Sequence, residues 1–251
     1  MLFCLGGPFN RTLKQIGKMQ TKYVEIVDDG TQALSDKRVA ALKEVAKSHG
    51  IEFTLHAPFA DINIASPSKD ILAASLKRLK QSMAFASELD AKVWVFHPGA
   101  KTGISQFYPG AEWKRNTASL QDLYGHAEKL GVNIALENLP GKYWFMMHTP
   151  EEFMRFYHET SLPLGIALDL GHANLEGQIE PFFNLLADKI VHIHASDNDS
   201  SDDQHLGIGK GKIDYDWFAQ TLKKIGYDKT VIIESVTEVP ESIRKLKQLL
   251  V

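Results

Sequence analysis

Short apolar runs alternate with longer amphipathic ones along almost the whole chain. The short runs stand at 2–5 (LFCL), 23–27 (YVEIV), 51–55 (IEFTL), 93–96 (VWVF), 132–136 (VNIAL), 164–168 (LGIAL), 190–193 (IVHI) and 230–233 (TVII). They are rich in β-branched residues and mostly apolar at consecutive positions, the pattern of strands covered on both faces. Between them apolar residues recur near helical spacing, as Ile71, Leu72, Leu76, Leu79, Met83 and Leu89 do within 69–89. Thr149-Pro150-Glu151-Glu152 reads as a capping box with proline at the first helical position, opening a helix over 150–160. Asp214 is placed to cap a helix beginning at Tyr215, and Gly50, Gly131 and Gly226 each follow a helical run where a left-handed C-cap is wanted. Eight strands alternating with about eight helices imply a parallel sheet. At 251 residues they favour one α/β domain over 1–251, a closed (β/α)8 TIM barrel. An open doubly wound sheet is the alternative.

Composition adds little to this picture. With 44% hydrophobic and 24% charged residues the chain reads as an ordinary globular protein, and no Ser/Gly linker or low-complexity tract divides it. The single cysteine, Cys4, excludes an intramolecular disulfide and suits a reducing, cytoplasmic setting. No signal-peptide pattern stands at the N-terminus, and no apolar run approaches the ~20 residues of a membrane span, so no membrane association is expected. A net charge of −3 announces no global field for nucleic acid.

The ends of the predicted strands change the picture. The third to the eighth end in or just before His56, His97, Glu137, Asp169, His194 and Glu234, and the second carries Glu25. In a parallel barrel these ends converge on one mouth, where such folds keep their active sites. Three carboxylates packed there would repel one another unless something positive sat among them. A divalent cation is the simplest neutraliser, and His, Asp and Glu are its usual ligands. His172, three residues after Asp169, and the Asp203-Gln204-His205 pair add candidates from loops. Glu25 is read either as a substrate contact or as half of a local salt bridge. Lys210 in "GIGKGKID" is read either as a phosphate contact or as part of a solvated loop. His192 shares the parity of His194 but lies deeper and reads as a hydrogen-bonded core residue; His49, His126 and His158 fall in helical patterns.

"HAPFADIN", "FHPG", "ALEN", "LDLGHAN", "HIHASDN…DQHLGIGKGKID" and "IIES" occur in an order that resembles the xylose-isomerase-like TIM-barrel superfamily. That superfamily includes sugar isomerases and epimerases as well as the endonuclease IV class of apurinic/apyrimidinic endonucleases (AP endonuclease family 2). The resemblance implies that Glu137, Asp169, His194 and Glu234 hold a shared metal. By the nuclease pattern, His56 and His97 with bridging Glu137 would hold a second ion, and His172, Asp203 and His205 a third. It thus implies up to three ions, zinc foremost, with manganese, cobalt or magnesium as alternatives. Departures favour the sugar branch. Phe59 stands where the nuclease pattern has tyrosine, Leu170-Gly171 replace a hydroxyl residue and cysteine, and the loop "ASDNDSSDDQH" lacks lysine and arginine. The expected activity is a metal-dependent isomerase or epimerase of a sugar or sugar phosphate. Glu137 and Glu234 would be its general base and acid, His172 a ligand of a substrate oxygen, and Glu25, Asn138 and Lys210 substrate contacts. Incision of abasic DNA is the alternative.

Overall fold

Seven strands lie side by side in chain order, each parallel to the next. They are β1 (Tyr23–Val27), β2 (Glu52–His56), β3 (Trp94–Phe96), β4 (Ile134–Glu137), β5 (Gly165–Asp169), β6 (Ile190–Ala195) and β7 (Thr230–Ile233). The computed structural model describes residues 7–18 and 21–250, so the run predicted as a strand over 2–5, with Cys4, lies outside them. A doubly wound sheet reverses its strand order at a switch point. Here the order never reverses, and β1 also approaches β7. The fold is a nearly closed parallel α/β barrel of the TIM type.

Nine α-helices lie among the described residues: α1 (Phe9–Ile16), α2 (Asp36–His49), α3 (Lys69–Glu88), α4 (Ala111–Leu130), α5 (Pro150–Thr160), α6 (Leu170–Leu175), α7 (Ile179–Leu186), α8 (Tyr215–Ile225) and α9 (Val239–Leu250). The count exceeds the sequence expectation because α6 and α7 share the segment between β5 and β6. Gly50, Gly131 and Gly226 all close their helices at φ 65°, in the left-handed region where a side chain is disfavoured. Asp214 accepts a hydrogen bond from Trp217 N at 2.8 Å and caps α8 as expected. The box at Thr149 is only half formed. Its hydroxyl makes no capping bond, and Glu152 instead accepts from His148 N, one residue earlier, at 3.1 Å.

The large apolar side chains, including Trp94, Phe96, Phe153, Phe156, Phe182 and Phe218, fill the layer between sheet and helices. The barrel interior is lined differently. Two residues before each strand-end polar group stand Thr54, Val95, Ala135, Ala167, His192 and Ile232, on the same side of the sheet by the two-residue period. Val95, Ala135 and Ala167 pack into a small cluster of their own, and Val27 and Ile232 pack with Phe59. The barrel centre thus combines small apolar residues with buried polar ones.

Gly99 shows how tightly the mouth is built. It follows His97-Pro98, donates to Asn116 Oδ1 at 2.8 Å, and accepts from Met146 N at 3.1 Å. A Cβ there would stand 2.4 Å from Ala65 Cβ and 2.6 Å from the Ala65 nitrogen. Backbone cannot yield as a flexible side chain would, so Gly99→Ala should destabilise the fold by about 1–3 kcal/mol, as overpacking does. Thermal and urea unfolding check this; an unchanged midpoint contradicts the close approach.

Candidate metal centre

Parallel strands bring six polar residues from distant parts of the chain to the same end of the barrel. His56, Glu137 and Asp169 are the last residues of β2, β4 and β5; His194 is next to last in β6; His97 and Glu234 follow β3 and β7 directly. Glu137 is the hub. Its Oε2 lies 3.1 Å from His56 Nε2 and 3.2 Å from His97 Nε2, and its Oε1 lies 3.3 Å from His194 Nδ1. Glu137, Asp169, His194 and Glu234 present ligand atoms within mutual reach of one ion, and His56, His97 and Glu137 form an adjoining set. Asp203 Oδ2 meets His172 Nε2 at 3.2 Å and His205 Nε2 at 2.9 Å, with the two rings 6.4 Å apart. All nine residues expected from the sequence to be ligands therefore gather at one mouth.

The imidazoles are pre-set. His56 Nδ1 faces the Ala57 carbonyl at 2.8 Å, and His172 Nδ1 faces the Asn138 carbonyl at 2.9 Å. A proton donated to a carbonyl leaves Nε2 with its lone pair free, which fixes the ligating tautomer. Asn138 is fully engaged in this scaffold: its amide donates to the Asp169 carbonyl at 3.1 Å and accepts from Asp169 N at 2.7 Å. Asp169 in turn accepts from His172 N at 2.7 Å, capping α6. A Lys142–Tyr143–Asp202 latch ties the loop after β4 to the loop carrying Asp203. Lys142 Nζ donates to Asp202 Oδ1 at 2.9 Å and to the Ser201 carbonyl at 3.1 Å, and the Tyr143 hydroxyl also donates to Asp202.

The residues fit a cation. Buried oxygens Asp169 Oδ2, Glu234 Oε2 and Asp203 Oδ1 lack hydrogen-bond donors, an expensive arrangement unless positive charge arrives. Protons take that part in the bare protein. Burial works against His172, but Asp169, Asp203 and Glu137 push its imidazole up to about 10. Burial likewise opposes His194, yet Glu234, Glu25 and Glu137 hold it well above its usual range. Burial would raise Glu137, but His194 and His97 hold it well below the ordinary carboxylate range. Burial drives Glu234 up; His194 opposes the rise, while Asp169 reinforces it.

Of the residues offered as substrate contacts, Glu25 and Lys210 instead match their other readings, a local ion pair and a solvated loop, and Asn138 also sits apart from the mouth. The Glu25 side chain is fully buried beneath the mouth, between His192 and His194. Asn138 holds backbone, and Lys210 is exposed, 3.7 Å from Glu238. None of the three borders the recess of about 240 Å³ above Glu137, which is walled by Phe59, Leu139, Pro140, Tyr143 and Phe145. Phe59, noticed in the sequence only as a departure, lies 5.4 Å from the His97 ring and 5.5 Å from the His56 ring. Tyr143 and Phe145 carried no signal, because nothing in their local sequence distinguishes a mouth-lining aromatic from a core one.

The xylose isomerase-like TIM barrel family model matches residues 13–249. The chain belongs to that family. An uncharacterized protein of Methanocaldococcus jannaschii is 36% identical over 241 residues, 94% of this chain and 91% of its own. A solved structure described as a D-tagatose 3-epimerase-like protein superposes with a TM-score of 0.93 at 32% identity, covering 98% of this chain and 94% of that one. A probable endonuclease 4 of Aquifex aeolicus is 28% identical over 191 residues, 67% of this chain and 64% of its own. The family thus holds both epimerases and endonuclease IV enzymes. No described helix is long and apolar enough to cross a membrane.

Metal ligands must be deprotonated, so loading the bare protein releases protons. With its pKa pushed up to about 10, the His172 imidazole is still cationic at pH 8, and an ion that takes it as ligand must expel a proton; the raised His194 pKa acts in the same direction. Zinc added at pH 8 in weak buffer should release protons in step with binding, followed with an indicator dye. Binding without proton release contradicts the charged imidazoles.

Proposed function

We propose that this protein is a divalent-metal-dependent epimerase or isomerase of a sugar or sugar phosphate. The observation that carries the reading is the small recess directly over Glu137 and Glu234, lined by aromatic side chains. Its volume is at or below the roughly 300–1,000 Å³ of small-molecule sites, a scale suited to one sugar unit. Aromatic faces at Phe59, Tyr143 and Phe145 suit the C–H faces of a sugar, while the imidazoles suit its hydroxyls. A cation held by Glu137, Asp169, His194 and Glu234 would supply positive charge that polarises the substrate carbonyl.

The chain's own groups would do the proton work. Glu137 removes the proton from the carbon beside the carbonyl, and Glu234 returns one to the opposite face, inverting that centre with no net gain or loss of atoms. His172, whose Nε2 opens into the recess beside Asp203, binds a substrate oxygen. Zinc, manganese, cobalt and magnesium all suit parts of the mixed His and carboxylate set.

A second reading has a specific observation behind it. The His56–His97–Glu137 set adjoins the central one through Glu137, and Asp203 contacts both His172 and His205 beside it; that clustering is what favours a zinc enzyme cleaving a phosphodiester beside an abasic site, with up to three ions.

Glu137→Gln and Glu234→Gln should each lower epimerisation of the true ketose substrate by at least about 10²-fold, the scale of a lost acid/base group. Deuterium uptake at the substrate carbon from heavy water reports the same step, and circular dichroism checks the fold. Near-full turnover in either variant removes its assigned role. Duplex DNA with one abasic site separates the two readings, since rapid incision at catalytic protein concentrations reverses their order.

A further inference from the structure

Beneath the mouth lies a second polar layer that the proposed chemistry leaves unused. Glu25 projects into it from the middle of β1. Its Oε1 lies 2.9 Å from His194 Nε2; its Oε2 lies 2.9 Å from His192 Nε2 and accepts from the Thr54 hydroxyl at 2.8 Å. His192 Nδ1 in turn faces Thr230 Oγ1 at 2.7 Å. The register puts both supports directly alongside, Thr54 next to Glu25 and Thr230 next to His192. The Glu25, His192 and His194 side chains are all fully excluded from solvent. Both imidazole nitrogens lie close to a Glu25 oxygen but off the line of a good hydrogen bond, so the carboxylate acts on the rings through its charge, which favours an N–H on the nitrogen that faces it.

Burying a carboxylate this deeply is costly unless partners compensate it, and hydrophobic residues fill such a layer more cheaply. A role at the metal centre would account for the expense. A ligating imidazole offers one nitrogen lone pair and must keep its proton on the other nitrogen. His56 and His172 settle this with backbone carbonyls on Nδ1. His194 is turned the other way: its Nδ1 faces Glu137 at 3.3 Å, Glu234 at 3.4 Å and Asp169 at 3.8 Å. Its proton therefore has to be held at Nε2, pointing down the barrel, and Glu25 is the group that meets it there.

We propose that Glu25 is a positioning residue of the metal centre: its carboxylate fixes the His194 proton on Nε2 and aims the Nδ1 lone pair into the mouth. Thr54 and His192 hold the carboxylate in place. Glu25, His192 and His194 also lie within reach of a common ion. Each Glu25 oxygen already contacts a different imidazole, however, so pairwise attraction accounts for the cluster without one. The inference rests on the reading of Glu137, Asp169, His194 and Glu234 as a metal site.

Zinc affinity by chelator competition and the visible spectrum of cobalt(II)-loaded protein test it on the full chain. Glu25→Gln keeps the shape and removes the charge; it should weaken one zinc-binding step by about 10- to 100-fold, the scale for losing such a partner, and alter the cobalt bands. Thr54→Val, which loosens Glu25 without discharging it, should weaken the same step less and move the bands in the same direction. A purely structural role would lower the thermal midpoint of the metal-free protein while leaving affinity and spectrum unchanged, and that result overturns the proposal. Should Glu25→Gln fail to fold, Thr54→Val decides, with unchanged affinity as the overturning outcome. A wild-type protein that binds neither ion overturns the metal reading too; normal binding by both variants overturns the role of Glu25 alone.

Discussion

Glu137, Asp169 and Glu234 are packed together out of water, and the barrel has to cancel their mutual repulsion to close around them. A single carboxylate in such a place is costly; several sharing it cannot all ionise without compensating positive charge. His172 and His194, whose pKa values are raised, provide that charge as protons in the bare protein, and a cation is the natural replacement. Much else follows from this requirement. Six strands end in or just before charged or titratable groups, so these groups meet at the mouth from every side. The Asp169–Asn138–His172 bonds fix where two of those side chains point.

The interior below the mouth answers the same demand. Ala135 and Ala167 take little space in the layer where Glu25 and His192 sit. Bulky aliphatic residues would fill that layer more cheaply. The conventional apolar core is displaced outward, between sheet and helices, where the phenylalanines and Trp94 provide it. The barrel thus keeps its stability in one shell and its chemistry in the other.

Much of this was legible in the sequence. Strand-end ligands could be read because parallel strands share a direction, so a residue's place in its apolar run fixes its height in the barrel. His56, His97, Glu137, Asp169, His194 and Glu234 all came from that rule, and His172, Asp203 and His205 from their nearness to it. Glu25 was seen but could not be resolved, because its partners Thr54, His192 and His194 are remote in the chain and joined only by register and closure. Asn138 enters as a substrate contact only through the resemblance, and local sequence does not show that its amide is spent on the Asp169 backbone. Lys210 could be read two ways, and its exposed side chain 3.7 Å from Glu238 matches the solvated loop.

The Lys142–Tyr143–Asp202 latch divides the mouth into parts of unequal permanence. The acids around Glu137 are fixed by the sheet itself, whereas Asp203 and His205 are borne on a loop: its end is pinned by backbone bonds at His205 and Leu206, but its Asp202 side is tethered by side chains that are about one-third or more exposed. Exposed tethers come undone at little cost. The Asp202 side of that wall is therefore the part of the mouth most easily loosened. Redrawing that one surface segment would change the width of the mouth while the strands underneath stay as they are.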